Sequence, residues 1–260
     1  MDIRHLDYNN SIVNLACSVL KHYGAENHHE TLAIFDNYLK KNYKNVVVML
    51  LDALGVDALE NHLDKGSFFR RHFVSEISTV FPPTTTAATT SIESGLTPKE
   101  HGWLGWSLYF SEIDKIVNAF INTLGASDEK AADYHVAGKI ISYKSIYDII
   151  NKTGNATAYS VSPFGTNKVS SHVEMFKEEF YKDFGKDFLL FSKAEVLEGN
   201  LFGEGQAHKK FEEFIGDFLA VAIGDQGIAY SPKSKQFLSN HAGMTKQEMM
   251  VPFIVVESHG

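Results

Sequence analysis

Apolar residues return at helical spacing at Ile12, Leu15, Val19 and Leu20, so the pattern predicts a helix around residues 10–23 and a second near Glu30–Lys41. The pattern then changes. Asn45 is followed by the unbroken apolar run Val46-Val47-Val48-Met49-Leu50-Leu51, rich in β-branched side chains. Continuous rather than alternating apolarity predicts a strand buried on both faces, as in a parallel sheet. The run ends at Asp52, and helical spacing resumes through Val56, Leu59 and Leu63. A second unit starts with a strand over Ser75–Val80. It breaks at Phe81-Pro82-Pro83, because proline has no N–H to give a sheet ladder, and continues as a helix that Gly95 closes. Thr84, Thr85 and Thr86 fall at the N-terminus of that helix. Further strands are predicted at Ala156–Val161, Asp187–Phe191, Phe218–Ile223 and Val251–Glu257, and a helix at Val173–Phe184 from the shared face of Val173, Phe176 and Phe180. Strands alternating with helices predict a layered α/β fold with a mostly parallel sheet.

Composition narrows the partners. The chain has 260 residues, with no internal repeat, low-complexity segment or linker, and is expected to form a single domain over 1–260. A formal charge of −8 gives no basic footprint for a nucleic-acid polymer, although a nucleotide fits. Cys17 is the only cysteine, so no internal disulfide forms and any metal must sit on Asp, Glu, His or hydroxyl oxygen. The first residues lack the apolar core of a signal peptide, and no apolar run approaches the ~20 residues that cross a bilayer. The expectation is a cytoplasmic protein without a membrane partner.

Three places can carry chemistry. Asp52 stands at the carboxyl end of a predicted inner strand, where parallel sheets gather ligands. A carboxylate there is either stabilised by a cation or caps the following helix. The threonines stand where free backbone N–H groups and the helix dipole attract a phosphate; a hydroxyl at that place is a nucleophile only if a base or metal activates it, and otherwise a cap. His241 lies in a loop before the strand Val251–Glu257, as a ligand or as a structural hydrogen-bonding group.

Taken together, these segments resemble the alkaline phosphatase superfamily, in its type I phosphodiesterase/nucleotide pyrophosphatase branch. The resemblance rests on Val46 to Gly55, on the block Phe81-Pro-Pro-Thr-Thr-Thr-Ala-Ala-Thr-Thr-Ser-Ile-Glu-Ser-Gly-Leu-Thr-Pro-Lys-Glu-His-Gly102, and on His241-Ala-Gly-Met-Thr with Val251-Pro-Phe-Ile-Val. It implies a three-layer α/β/α, alkaline-phosphatase-like fold and a metal-dependent hydrolase of phosphate esters, namely phosphodiesters or nucleotide pyrophosphates. The family's nucleophilic threonine lies ten positions before the glycine of its Ser-Ile-x-x-Gly pattern, which selects Thr85, with Thr84 and Thr86 as alternatives. Two divalent metal ions, usually zinc, are implied, with Asp52 and Thr85 on one and His241 on the other. The expected intermediate is a phospho-threonine enzyme. Cys17 lies far from the nucleophile block, which argues against a sulfatase, whereas phosphomonoester or phosphonate hydrolysis remains open.

Two departures from the family pattern stand out. Trp106 occupies the place where relatives carry an asparagine that contacts the phosphoryl oxygen, so substrate preference differs; an indole donates one N–H and cannot replace an amide. The family's middle ligands, an Asp-x-x-x-His-like pair and a later Asp-His-Gly, are absent. Asp225 in Gly224-Asp-Gln-Gly227 is a weak substitute, because Gln226 stands in place of the histidine. Catalytic zinc takes about three protein ligands per ion, and Asp52, Thr85 and His241 cannot furnish two such sites. Either the sequence as written omits residues between about 165 and 174, or the deletion is real and leaves a metal-poor, catalytically inactive scaffold that binds a phosphate ligand.

Overall fold

The computed structural model describes residues 6–41, 43–125, 127–158, 160, 181, 184–215, 218–224 and 242–257. Helix α1 (Ile12–His22) starts where Ser11 turns extended, and the Ser11 N–H and Oγ both donate to Asn14 Oδ1 at 2.9 and 2.7 Å. This closes the first turn in the manner of a capping box. Helix α2 (Ala33–Leu39) packs on α1, and the two are joined where Ser18 Oγ donates to Asp36 Oδ1 at 2.7 Å. Helices α3 (Val56–His62) and α4 (Phe68–Arg71) lead into strand β1 (Phe73–Ser78), and the Phe81-Pro-Pro turn leads into α5 (Thr85–Ser94). Gly95 ends α5 with φ 69, the left-handed conformation that glycine adopts without a Cβ penalty.

After α6 (Pro98–His101) the chain forms a meander of β2 (Ser107–Phe110), β3 (Lys115–Asn118) and β4 (Thr123–Leu124). Helices α7 (Val136–Ile140) and α8 (Ile146–Thr153) follow, then β5 (Phe188–Ser192), α9 (Lys193–Glu198), α10 (Phe211–Phe214) and β6 (Phe218–Ala222). The last elements are α11 (Lys246–Met249) and β7 (Met250–Ile254). Pairing is antiparallel for β1 with β7, through the β2–β3–β4 meander, and for β5 with β6.

The class is therefore mixed α/β as expected, with predicted strands found at β1, β5, β6 and β7. The mostly parallel sheet is not what the described residues form. Their parallel contact is an isolated bridge between Ser11 and Ser78. The reason lies in the segment that should have been its inner strand. Val46–Leu51 runs outside any strand, with Val47 78% and Met49 75% exposed, and no backbone hydrogen bond joins it to another described residue. With no neighbour, its amides have no ladder to enter and its side chains no layer to pack against. Ala156–Ala158 is likewise outside any strand, while the predicted helix Val173–Phe184 lies largely outside the described residues.

Two apolar clusters hold the Phe81–Gly102 block. In the larger one, Phe81 packs edge-on to Phe202 at 5.1 Å between ring centroids, and Phe202 packs edge-on to Phe211 at 5.4 Å. Each such side chain, fully buried, contributes about 1.5–3 kcal/mol. The second joins α1, α5, β1 and β7 through Val13, Cys17, Ile77, Ala87, Ile92 and Phe253. The second cluster thus anchors α5, and the larger one the turn before it.

Candidate active site

The start of α5 is built by hydrogen bonds that assign each threonine a different task. The Thr84 N–H donates to Pro82 O at 2.8 Å, and its hydroxyl accepts the Ala87 N–H at 3.3 Å, which makes Thr84 the N-cap. Thr86 is fully buried, and its Oγ1 has no hydrogen-bond partner. Thr85 is half-buried, and its Oγ1 stands 3.4 Å from both Asp52 Oδ1 and Oδ2. The turn ahead is held from outside: the buried Tyr8 hydroxyl accepts the Phe81 N–H at 3.2 Å. Burial pushes the Tyr8 phenol up, so it stays protonated and also donates to Leu201 O at 3.5 Å.

Asp52 is exposed, at the end of the apolar run, and its Oδ1 also accepts the Ala53 N–H at 3.0 Å. Ala53 has φ 58, a left-handed conformation that costs a residue with a Cβ about 1–2 kcal/mol. The bend at Ala53 turns the chain directly after the carboxylate and leads it into α3.

A separation of 3.4 Å is long for a hydrogen bond from a hydroxyl to a carboxylate. It suits a different arrangement. Two oxygens held about 2.0–2.2 Å from one tetrahedral zinc stand roughly 3.3–3.6 Å apart. Thr85 and Asp52 therefore fit one edge of one metal site. Among the described residues no group of three or more His, Cys, Asp or Glu side chains comes together as a metal cluster.

Of the other predicted site residues, Trp106 is 46% exposed ahead of β2, with its ring edge-on to Phe120. His241 and Asp225 lie outside the described residues. His29 pairs with Glu100, its Nε2 2.5 Å from Oε2. Sequence reasoning missed the Tyr8 support and a link from His101 to α5 through Ser91. Neither has a local pattern, since Tyr8 and Phe81 lie 73 positions apart.

A family model described as type I phosphodiesterase / nucleotide pyrophosphatase matches residues 46–235, a span that takes in Asp52, Thr85 and Trp106. The chain belongs to this family. Type I phosphodiesterase/nucleotide pyrophosphatase proteins are typically hydrolytic enzymes, generally metal-dependent, that act on small phosphate-ester substrates. His241 lies beyond the matched span. No curated protein and no solved structure matches the chain. Among the described residues no helix is long and apolar enough to cross a membrane.

Proposed function

We propose that the chain is a phosphodiester or nucleotide-pyrophosphate hydrolase in which Thr85 is the nucleophile and Asp52 a ligand of a divalent metal, zinc in this reading. The observation that carries it is the approach of the Thr85 hydroxyl to the Asp52 carboxylate while Thr84 serves as the cap and Thr86 is buried. The Thr85 oxygen attacks phosphorus, its proton passes to solvent, and the bond to the leaving ester oxygen breaks. Water then cleaves the phospho-threonine and regenerates the hydroxyl. The backbone N–H groups of the first turn of α5 face the anion with the positive end of the helix dipole behind them. A bound divalent ion lowers the pKa of the hydroxyl and neutralises charge on the phosphoryl group.

The family's pair of ions, with His241 serving the second, and its three-layer α/β/α sheet belong in this proposal to a complete enzyme. Its missing ligands and partner strands lie in residues absent between about 165 and 174. Exposure of the apolar run Val47–Leu51 supports this, since inner strands of a parallel sheet are covered on both faces.

The test is turnover of an aryl phosphodiester in added zinc. T85A is expected to lose at least about a thousandfold in kcat, as removal of a nucleophile does, while T85S keeps part of the activity and T84A nearly all of it. Full activity in T85A overturns the reading, and loss in T84A instead moves the nucleophile one residue back. A second reading, a metal-poor scaffold that binds phosphate ligands, is favoured by the lack of any group of three or more His, Cys, Asp or Glu side chains that could hold a metal among the described residues. Binding of an aryl phosphate without any turnover by the unmutated chain selects it. Phosphomonoester and phosphonate substrates in the same assay test the remaining alternatives.

A further inference from the structure

Helix α5 meets the connection between α6 and β2 at one buried side chain. His101 closes α6 and is 1% exposed. Its Nδ1 accepts the Trp103 N–H at 3.0 Å, so that nitrogen carries no proton. The neutral ring then carries its proton on Nε2, which stands 3.0 Å from Ser91 Oγ and donates toward α5. Burial keeps the imidazole neutral, drawing its pKa down to about 3, with His208 adding to the effect. The turn that brings Trp103 back to the ring requires glycine: Gly102 has φ 75, and a Cβ there would lie 2.9 Å from His208 Nδ1.

Ala87 and Ser91 share a face of α5, and the Ala87 N–H is the one bound by the Thr84 cap. The imidazole thus holds α5 against rolling about its own axis, close to the residue that points at Asp52. On a helix whose Cα atoms lie about 2.3 Å from the axis, a roll of about 20° moves them by roughly 0.8 Å, and the side-chain tips further. A misplacement of that size at a reacting group lowers rate by about a hundredfold.

We propose that His101 is a positioning residue, whose ring pins the roll of α5 and so aims the Thr85 hydroxyl at Asp52. The inference rests on Thr85 as the nucleophile. The experiment uses the full chain with its threonine methyl groups isotopically labelled, the Thr85 resonance being identified by its loss in T85A. H101N keeps an acceptor for the Trp103 N–H but cannot reach Ser91, whereas H101Q extends an amide to Ser91. The Thr85 methyl resonance is expected to shift in H101N and to return in H101Q, with kcat falling about 10- to 100-fold in H101N at unchanged KM and recovering in H101Q. S91A is expected to shift the resonance in the same direction by less. An unmoved Thr85 resonance in folded H101N, or an equal shift in H101Q, overturns the proposal. Should H101N fail to fold, S91A decides: a shifted resonance supports the role and an unmoved one overturns it. Full turnover in T85A removes the nucleophile while leaving the methyl readout to judge the positioning, so the two failures are distinguishable.

Discussion

His101 shows how far one residue can be read from sequence. A turn at Gly102, directly after it, brings the Trp103 N–H onto its Nδ1. Its other nitrogen reaches ten residues back to Ser91, and the sequence carries no sign of that. The consequence is a pH dependence of stability. The folded pKa of His101, about 3, lies below the ordinary 6.5, so between these values the unfolded chain binds the proton and the folded chain does not. Stability from this group is therefore complete above about pH 6.5 and declines as pH falls, by at most about 1.4 kcal/mol per pH unit. Asp36 and Glu213 are held below their usual carboxylate values, Asp36 by Lys21, Ser18 and Thr31 and Glu213 by Lys210 and Ser111, in each case against burial, so their losses begin at lower pH. His135 and His208 are lowered by burial and titrate in the same window, but they are present in the variant too. Urea unfolding at pH 5.0 and 7.0 is expected to show a smaller difference for H101Q than for the parent chain. Equal differences would mean that His101 is protonated without penalty in the fold.

At the scale of elements, local signals placed α5 and several strands, while the β2–β3–β4 meander, although its pairing is short-range, was not read. The capping residues, the two prolines after Phe81 and the glycine at position 95 fix α5 to within a residue, and the run of apolar residues found β6 and β7. The described strands pair antiparallel, and direction depends on which strand lies alongside and not on the strand's own residues. Val46–Leu51 is the sharpest case, an apolar run without a neighbour among the described residues. Such a run is a template for pairing with other chains. Met49, 75% exposed, separates the two settings of this run. In this chain M49K is expected to change unfolding free energy by less than about 0.5 kcal/mol, as surface substitutions do, and to reduce light scattering on concentration. In a longer protein that covers the run, the same lysine becomes a buried charge and costs several kcal/mol. A large loss of stability in the 260-residue chain itself would show that the run is packed there.

The whole molecule raises the question of how many metal ions it can hold. Family membership points to metal-dependent hydrolysis, and in the proposed reading Thr85 and Asp52 supply one edge of one site. Two oxygens alone do not hold a zinc ion tightly, since a catalytic site takes about three protein ligands. Equilibrium dialysis of the 260-residue chain with zinc, read by elemental analysis, is therefore expected to give no more than one ion per chain. D52N is expected to remove it, because a neutral amide replaces the charged ligand. Two tightly held ions, insensitive to D52N, would move the metal centre away from Asp52. The same measurement on protein from its natural source, paired with its intact mass, tests the proposed gap between about 165 and 174. A mass well above 29.0 kDa together with two ions fits an enzyme whose remaining ligands lie in the absent residues. A mass of 29.0 kDa with at most one weakly bound ion fits a real deletion, and activity would then rest on whatever Thr85 and Asp52 achieve with a single ion.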